Sequence, residues 1–131
     1  MKRILNILLL AMALALPAAA QDYAEATFKT DIHDFGTIKE SKGPVTYNFE
    51  FTNTGNKPLI ITNVTASCGC TRPEYPTKPI KPGKKGKIKV TFSPVGRAGA
   101  FKKTIKVKTN GVEKIKSLLI QGTIIPAKRE R

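Results

Sequence analysis

One stretch of this chain alternates strictly between apolar and polar side chains, and it restricts the fold more than any other feature. Its apolar members are Val45, Tyr47, Phe49 and Phe51, separated by Thr46, Asn48, Glu50 and Thr52. Successive side chains of a β-strand point to opposite faces, so this period of two predicts a strand with one buried face and one exposed face. Such a strand has to bury its apolar face against other secondary-structure elements.

Shorter stretches with the same alternation follow along most of the chain, and turn residues separate them about every 8–15 residues. We predict strands over 28–32, 59–64, 88–92, 101–107 and 115–125. We also predict a bend or bulge at Gly36, loops over 53–58 and 93–99, a hairpin turn at Asn110-Gly111 and a bulge at 117–119. The proline-rich segment 71–86 is expected to be an edge strand or a crossing loop, because proline cannot donate to a sheet ladder. No stretch predicts a helix. The predicted fold is a seven-stranded antiparallel immunoglobulin-like β-sandwich.

The first 20 residues have the pattern of a secretory signal peptide. Lys2 and Arg3 form a basic start, an apolar run follows over 4–16, and the small residues 18–20 fit a cleavage site. The run is shorter than the about 20 residues that a membrane helix needs. We therefore predict a signal peptide over 1–20, the sandwich over 21–125 and a basic tail over 126–131. The mature protein is expected in the periplasm or the extracellular space, without a transmembrane segment.

The chain is strongly basic, with a formal net charge of +14 to which Lys2 and Arg3 contribute two charges. Positive charge of this size attracts anionic surfaces and acidic partners. In an exported protein we expect the partner to be an envelope protein or an anionic surface, and not nucleic acid. The lysines are spread along the chain, which is also typical of a solvated surface.

Five short motifs follow one another in a characteristic order over residues 28–123. They are Phe35-Gly36, Asn53-x-Gly55, Ser67-Cys68-Gly69-Cys70-Thr71, Pro82-Gly83 and Gly86-x-Ile88-x-Val90-x-Phe92-x-Pro94. This order resembles a family of small exported bacterial proteins of unknown function, common in Bacteroidetes, with domains similar to the Hydin-type or major-sperm-protein-like immunoglobulin domains. The resemblance implies the same seven-stranded sandwich. It implies no established reaction, because the family has none.

Cys68 and Cys70 are the only cysteines of the chain, and Gly69 separates them. In an extended strand their Cα atoms would lie about 6.6–6.8 Å apart, at the upper limit for a disulfide. A bond between them would need the chain to tighten at Gly69, which glycine permits. Three interpretations stay open here: a structural pair, either disulfide-bonded or reduced; a soft-metal site for Cu(I) or Zn(II); or a thiol pair that exchanges with a partner.

The soft-metal site and the exchanging thiol pair both require further residues. A metal site would require a further ligand, for which His33, the only histidine, is the candidate. Lys57 and Arg72 are candidates for lowering the pKa of a thiol. We predict no catalytic residue, no metal ligand and no cofactor, because one histidine and scattered acidic residues form no catalytic pattern.

The function expected from the sequence is that of a non-enzymatic, exported immunoglobulin-like interaction or structural module of the bacterial cell envelope. The alternative is a thiol-redox or soft-metal (copper or zinc) handling protein that uses the Cys68-Gly69-Cys70 pair.

Overall fold

A computed structural model describes residues 21–128 as a sandwich of two four-stranded sheets. The strands of the first sheet lie in the order β1 (Ala26–Phe28), β3 (Val45–Asn53), β6 (Lys85–Phe92) and β5 (Thr71–Glu74). Those of the second sheet lie in the order β2 (Ile32–Lys39), β8 (Ile115–Ile125), β7 (Gly99–Thr109) and β4 (Ile61–Ala66). A short 3-10 helix (Glu40–Lys42) lies in the turn between β2 and β3.

The predicted immunoglobulin-like sandwich is confirmed, with eight strands in residues 21–128 where seven were expected. The strand predicted over 28–32 is divided, because residues 29–31 carry the chain from β1 in the first sheet to β2 in the second. After this crossing β2 pairs in parallel with β8, whereas the other strand pairs are antiparallel as predicted. The predicted signal peptide over 1–20, and residues 129–131 of the predicted tail, lie outside the described residues.

The apolar face predicted for 45–52 is part of the core between the two sheets. Phe49 and Phe51 are 0% and 1% exposed, and Val45 and Tyr47 pack at the margin of the core. The facing and neighbouring strands contribute fully buried aliphatic and aromatic side chains in the same alternating register: Ile88, Val90, Phe92, Ile105, Val107, Leu118 and Ile120. Removal of this apolar surface from water is the main favourable term for such a fold.

One predicted irregularity is correct and another is wrong. The pairing of β2 with β8 shifts between Asp34 and Thr37, around Gly36, whose φ is 67°. Glycine reaches this left-handed region without a steric penalty, so the predicted bend is confirmed. The bulge predicted at 117–119 is absent, since β8 stays in register with β7 through this stretch. Three apolar residues in a row suggested a bulge, but Leu119 lies only half-buried, on the face opposite its buried neighbours.

The hairpin predicted at Asn110-Gly111 joins β7 to β8, but its turn is longer than two residues. It spans 110–114, and neither Asn110 nor Gly111 has the positive φ that a two-residue type I′ turn requires. The Asn110 side chain instead accepts the N–H of Ile60 at 2.7 Å and donates to the carbonyl of Pro58 at 3.1 Å. Asn110 therefore ties this turn to the segment that enters β4.

The proline-rich segment behaves as predicted. Its first residues form β5, which lies at an edge of the first sheet. The proline-rich crossing (residues 75–82) then leads back to β6 of the same sheet, and its Ile80, 8% exposed, pairs with Leu59, which precedes β4, through two backbone hydrogen bonds of 2.8 Å.

Asn53, the last residue of β3, is a fully buried polar residue at which four segments meet. Its Oδ1 accepts the N–H groups of Glu25 at 3.3 Å and Gly55 at 3.0 Å. Its Nδ2 donates to the carbonyl oxygens of Lys57 at 2.7 Å and Ile80 at 2.9 Å. The side chain thus joins the N-terminal segment, the loop after β3 and the proline-rich crossing.

The main chain of Asn53 adds a fourth segment, the turn before β6. Its N–H donates to Lys84 and its carbonyl accepts from Gly83, at 2.9 and 2.8 Å. The loop predicted after β3 is present, but its Gly55 has no positive φ. Gly55 is required for another reason: a Cβ there would overlap the backbone carbonyl of Tyr23.

We expect Asn53→Asp to lower the free energy of unfolding by about 2–5 kcal/mol, because the new carboxyl cannot donate both Nδ2 hydrogen bonds and is buried against two carbonyl oxygens. Urea denaturation measures this loss. Asn48→Asp is the matched control, since Asn48 lies exposed on the same strand, and it should change stability by no more than about 0.5 kcal/mol. Equal effects of the two substitutions would show that the Asn53 contacts do not hold the fold together.

Candidate functional site

Three connections between the sheets meet at one end of the sandwich. They span residues 40–44 after β2, 67–70 after β4 and 93–98 after β6. Backbone and side-chain hydrogen bonds join them: Ser93 N–H donates to the Cys70 carbonyl at 2.9 Å, and Gly96 N–H donates to Glu40 Oε2 at 2.8 Å. Between them lies an open groove of about 460 Å³, lined by Pro44, Gly69, Cys70, Arg72, Thr91, Ser93, Val95 and Arg97.

Cys68 and Cys70 form a disulfide in the turn that leads from β4 to β5. Their Cα atoms are 5.2 Å apart, well inside the extended-strand separation expected from the sequence. The turn is closed by the Thr71 N–H, which donates to the Cys68 carbonyl at 3.1 Å. Gly69 has an ordinary φ, and a Cβ there would contact nothing, so the turn itself and not the freedom of glycine brings the cysteines together.

The two sulfur atoms have different surroundings. Cys68 Sγ accepts the backbone N–H of Cys70 at 3.1 Å and lies 3.6 Å from the Arg97 guanidinium. Cys70 Sγ has the Thr71 hydroxyl at 3.7 Å, and the Cys70 side chain packs against the core. Positive charge and hydrogen-bond donors therefore concentrate on Cys68.

Of the residues that the sequence pointed to, only Arg72 lies beside the cysteines, in the same groove. Lys57 precedes β4, whereas the cysteines follow it, so this lysine lies at the opposite end of the strand. Arg97 takes the place proposed for Lys57, and the sequence did not point to it. Its segment was predicted only as a loop, and no sequence signal brings it across 29 residues to Cys68.

The soft-metal site suggested by the sequence is not assembled. His33 lies on β2, at the opposite edge of the second sheet from β4, with β8 and β7 between them. Within residues 21–128, no group of three or more His, Cys, Asp or Glu side chains is arranged to hold a metal ion.

His33 belongs to an aromatic cluster of its own. Its ring stacks on Tyr47 with 3.6 Å between centroids and an angle of 8°, and meets Phe35 edge-on at 4.6 Å. Burial in this cluster lowers the pKa of His33 below its ordinary value of 6.5, while the charge of Asp34 acts in the opposite direction. The cluster packs β2 against β3.

Comparison with known proteins places the chain in a family. The profile of a family described as a protein of unknown function, DUF1573, matches residues 26–124. The chain belongs to the DUF1573 family. This agrees with the resemblance to a family of unknown function, and the match covers all eight strands apart from the last residue of β8. No curated protein matches this DUF1573 chain significantly.

Solved structures support the fold of this DUF1573 protein. A protein of unknown function from Porphyromonas gingivalis W83 has a TM-score of 0.65 and 19% identity over 83% of this chain and 50% of its own, so the chain spans half the length of that protein. The seventh PapD-like domain of human CEP192 has a TM-score of 0.66 and 12% identity, over 88% of this chain and 95% of its own. The secreted serine protease VesC from Vibrio cholerae has a TM-score of 0.57 and 13% identity, over 83% of this chain and 24% of its own.

These similarities show the fold alone, because all three identities are below 25%. In the part of the chain that the structure describes, no helix combines the length and apolar character needed to span a membrane.

The lowered pKa of His33 predicts a pH dependence of stability. A histidine whose pKa is lower in the folded state binds protons more readily in the unfolded state. The contribution of His33 to the free energy of unfolding should therefore be complete above about pH 6.5 and should decrease as the pH falls through that value. The loss should level off once the pH is below the folded pKa.

Denaturation of the native protein and of His33→Phe between pH 5 and 8 isolates this effect, because phenylalanine keeps the stacking and does not titrate. Below about pH 6.5 the free energy of unfolding of the native protein should fall relative to that of His33→Phe. Parallel curves, or a relative gain of the native protein in acid, would contradict the assigned direction.

Proposed function

We propose that this DUF1573 protein is a non-enzymatic interaction module of the bacterial cell envelope that binds an extended segment of a partner along the edge of β4. The observation that carries the proposal is the open, uncharged edge of this strand. A sheet edge with unpaired N–H and C=O groups is a template for strand addition.

The four edges of the sandwich differ in how they are protected. β1 has only three residues, β5 has four and contains Pro73, and β2 is interrupted by the bulge at Gly36 and carries charged residues. All of these features discourage edge-to-edge pairing. β4 has six residues with neither proline nor charge, and its pairing with β7 is regular beyond an irregularity between Ile61 and Asn63.

The backbone of β4 offers hydrogen-bonding groups on its outer side. Ser67, just after the strand, donates its N–H to Thr104 of β7 at 3.0 Å. Because bonding directions alternate along an antiparallel pair, the N–H groups of Val64 and Ala66 then point away from β7. In the described residues β7 is the only strand that pairs with β4, so this outer side is available to a partner.

The charge beside this edge indicates the chemistry of the partner. Lys106 and Lys108 of β7 lie opposite Thr65 and Asn63 of β4, and all four side chains are exposed. A strand added by a partner would lie about 4.8 Å beyond β4. The side chains of Lys106 and Lys108 can reach it by extending across β4. An extended segment with acidic residues on this face would fit best.

The non-enzymatic part of the proposal is supported by the surroundings of the single histidine. A serine protease of the Ser-His-Asp type, unlike the Ser-Lys variants, requires a histidine beside its nucleophilic serine, and a serine protease is among the structural neighbours. The ring of His33 instead packs against Tyr47 and Phe35. The envelope location rests on the signal peptide predicted over 1–20.

Site-directed photo-crosslinking in cells that express the full chain tests the proposal. A photoreactive residue at Thr65, on the β4 edge, should give a discrete adduct with an envelope protein. The same residue at Lys87, exposed on the other sheet, is the control and should give none. Adducts of equal yield at both positions, or no adduct at Thr65, would contradict the proposal.

Two variants connect an adduct to strand addition. Ala66→Pro removes one outward N–H, and Lys106→Gln with Lys108→Gln removes the charges beside the edge. Either should lower the adduct yield by about fivefold or more, whereas Lys85→Gln with Lys87→Gln, which removes the same charge from β6, should not. Melting curves establish that each variant is folded before the yields are compared.

A further inference from the structure

The two cysteines of the disulfide differ in their position relative to the groove. Cys70 lines the groove together with Gly69, whereas Cys68 does not. Gly69 is exposed and has open space where a side chain would be, so nothing at this position screens the bond from the groove. Cys70 is therefore the cysteine against which a molecule in the groove lies.

The sulfur of Cys68 is the better placed of the two to carry negative charge. It accepts a backbone N–H at 3.1 Å and lies 3.6 Å from the guanidinium of Arg97. Both contacts favour a thiolate over a thiol, and a sulfur that is more stable as a thiolate is the better leaving group in thiol–disulfide exchange. Cys70 Sγ has only the Thr71 hydroxyl at 3.7 Å.

We propose that the Cys68–Cys70 disulfide is a site of thiol–disulfide exchange for an acidic, thiol-bearing ligand. The ligand thiolate attacks Cys70 Sγ from the groove, a new S–S bond forms between the ligand and Cys70, and the Cys68–Cys70 bond breaks. The bonding electrons leave with Cys68 as a thiolate beside Arg97. The step needs no further oxidant or reductant, since one thiolate is consumed and another is produced.

The charges around the groove select the ligand. Arg72 and Arg97 line it, and the described residues that line it include no acidic side chain. A thiolate flanked by carboxylates is therefore attracted and a cationic thiol is repelled. Such a thiolate can belong to a small acidic thiol or to a cysteine within an acidic peptide.

The first experiment measures exchange rates of the oxidised protein with glutathione, which is anionic, and with cysteamine, which is cationic. An oxidised peptide Ser-Cys-Gly-Cys-Thr corrects for the intrinsic reactivity of each thiol. At low salt the ratio of glutathione rate to cysteamine rate should be about threefold to tenfold higher for the protein than for the peptide, and high salt should reduce this preference.

Arginine variants separate the groove from the overall positive charge. Arg97→Gln and Arg72→Gln should each lower the glutathione rate by about threefold or more. Lys57→Gln removes the same charge at the far end of β4 and should leave the rate within about 1.5-fold of that of the native protein. Equal effects of all three variants, with melting curves unchanged, would overturn the proposal.

The second experiment identifies the sulfur that is attacked. Early reaction mixtures are quenched with a maleimide, digested and fragmented by mass spectrometry. Glutathione should be found on Cys70 and the maleimide on Cys68. Glutathione mainly on Cys68 would overturn the assignment of the leaving group.

A third arm uses an acidic peptide with one cysteine between glutamates. If this peptide reacts faster than glutathione, the site is assigned to a protein ligand. If it reacts at an equal or lower rate, the site is assigned to a small thiol. Both outcomes support acidic-thiol exchange. A protein that exchanges with none of these thiols faster than the reference peptide does would contradict it. None of these results depends on strand addition at β4, so the two proposals fail separately.

Discussion

The hydrogen bonds of Asn53 hold together the parts of this sandwich that regular sheet pairing does not reach. A β-sandwich fixes its strands through ladders and a shared core, but its connections need other partners. Here one buried amide binds the N-terminal segment, the loop after β3 and the proline-rich crossing, and its main chain binds the turn before β6. Every polar atom of this residue is used, which is what makes its burial favourable rather than costly.

The sequence predicted the parts of the fold that depend on local alternation. The inward register around Phe49, the edge strand in the proline-rich segment and the bend at Gly36 are all present, because each follows from a residue's own burial, donor or φ preference. The division of the first strand was not predictable in this way. Thr30 and Asp31 look like strand residues, and only the packing of β2 against β8 shows that the chain crosses there.

At the candidate site, too, the sequence predicted what is close along the chain and not what the fold brings together. The spacing of Cys68 and Cys70 identified the position of the site, and Arg72 was found because it is close in sequence. Arg97 reaches Cys68 only because two connections between the sheets lie side by side at one end of the sandwich. Lys57 looked equally suitable in sequence but is separated from the disulfide by the whole length of β4. Charge alone could not distinguish these basic residues, since the chain has 23 of them.

The open edge of β4 and the disulfide turn are consecutive in the chain, so the strand proposed to receive a partner runs directly into the turn at the groove. Binding of a partner along β4 requires that this edge is open. Residue-resolved amide hydrogen exchange of the isolated protein tests it. The amides of Val64 and Ala66 should exchange at least about tenfold faster than those of Thr65 and Ser67, which face β7. Equal protection of all four amides would mean that the outer edge is already covered, and would contradict strand addition at β4.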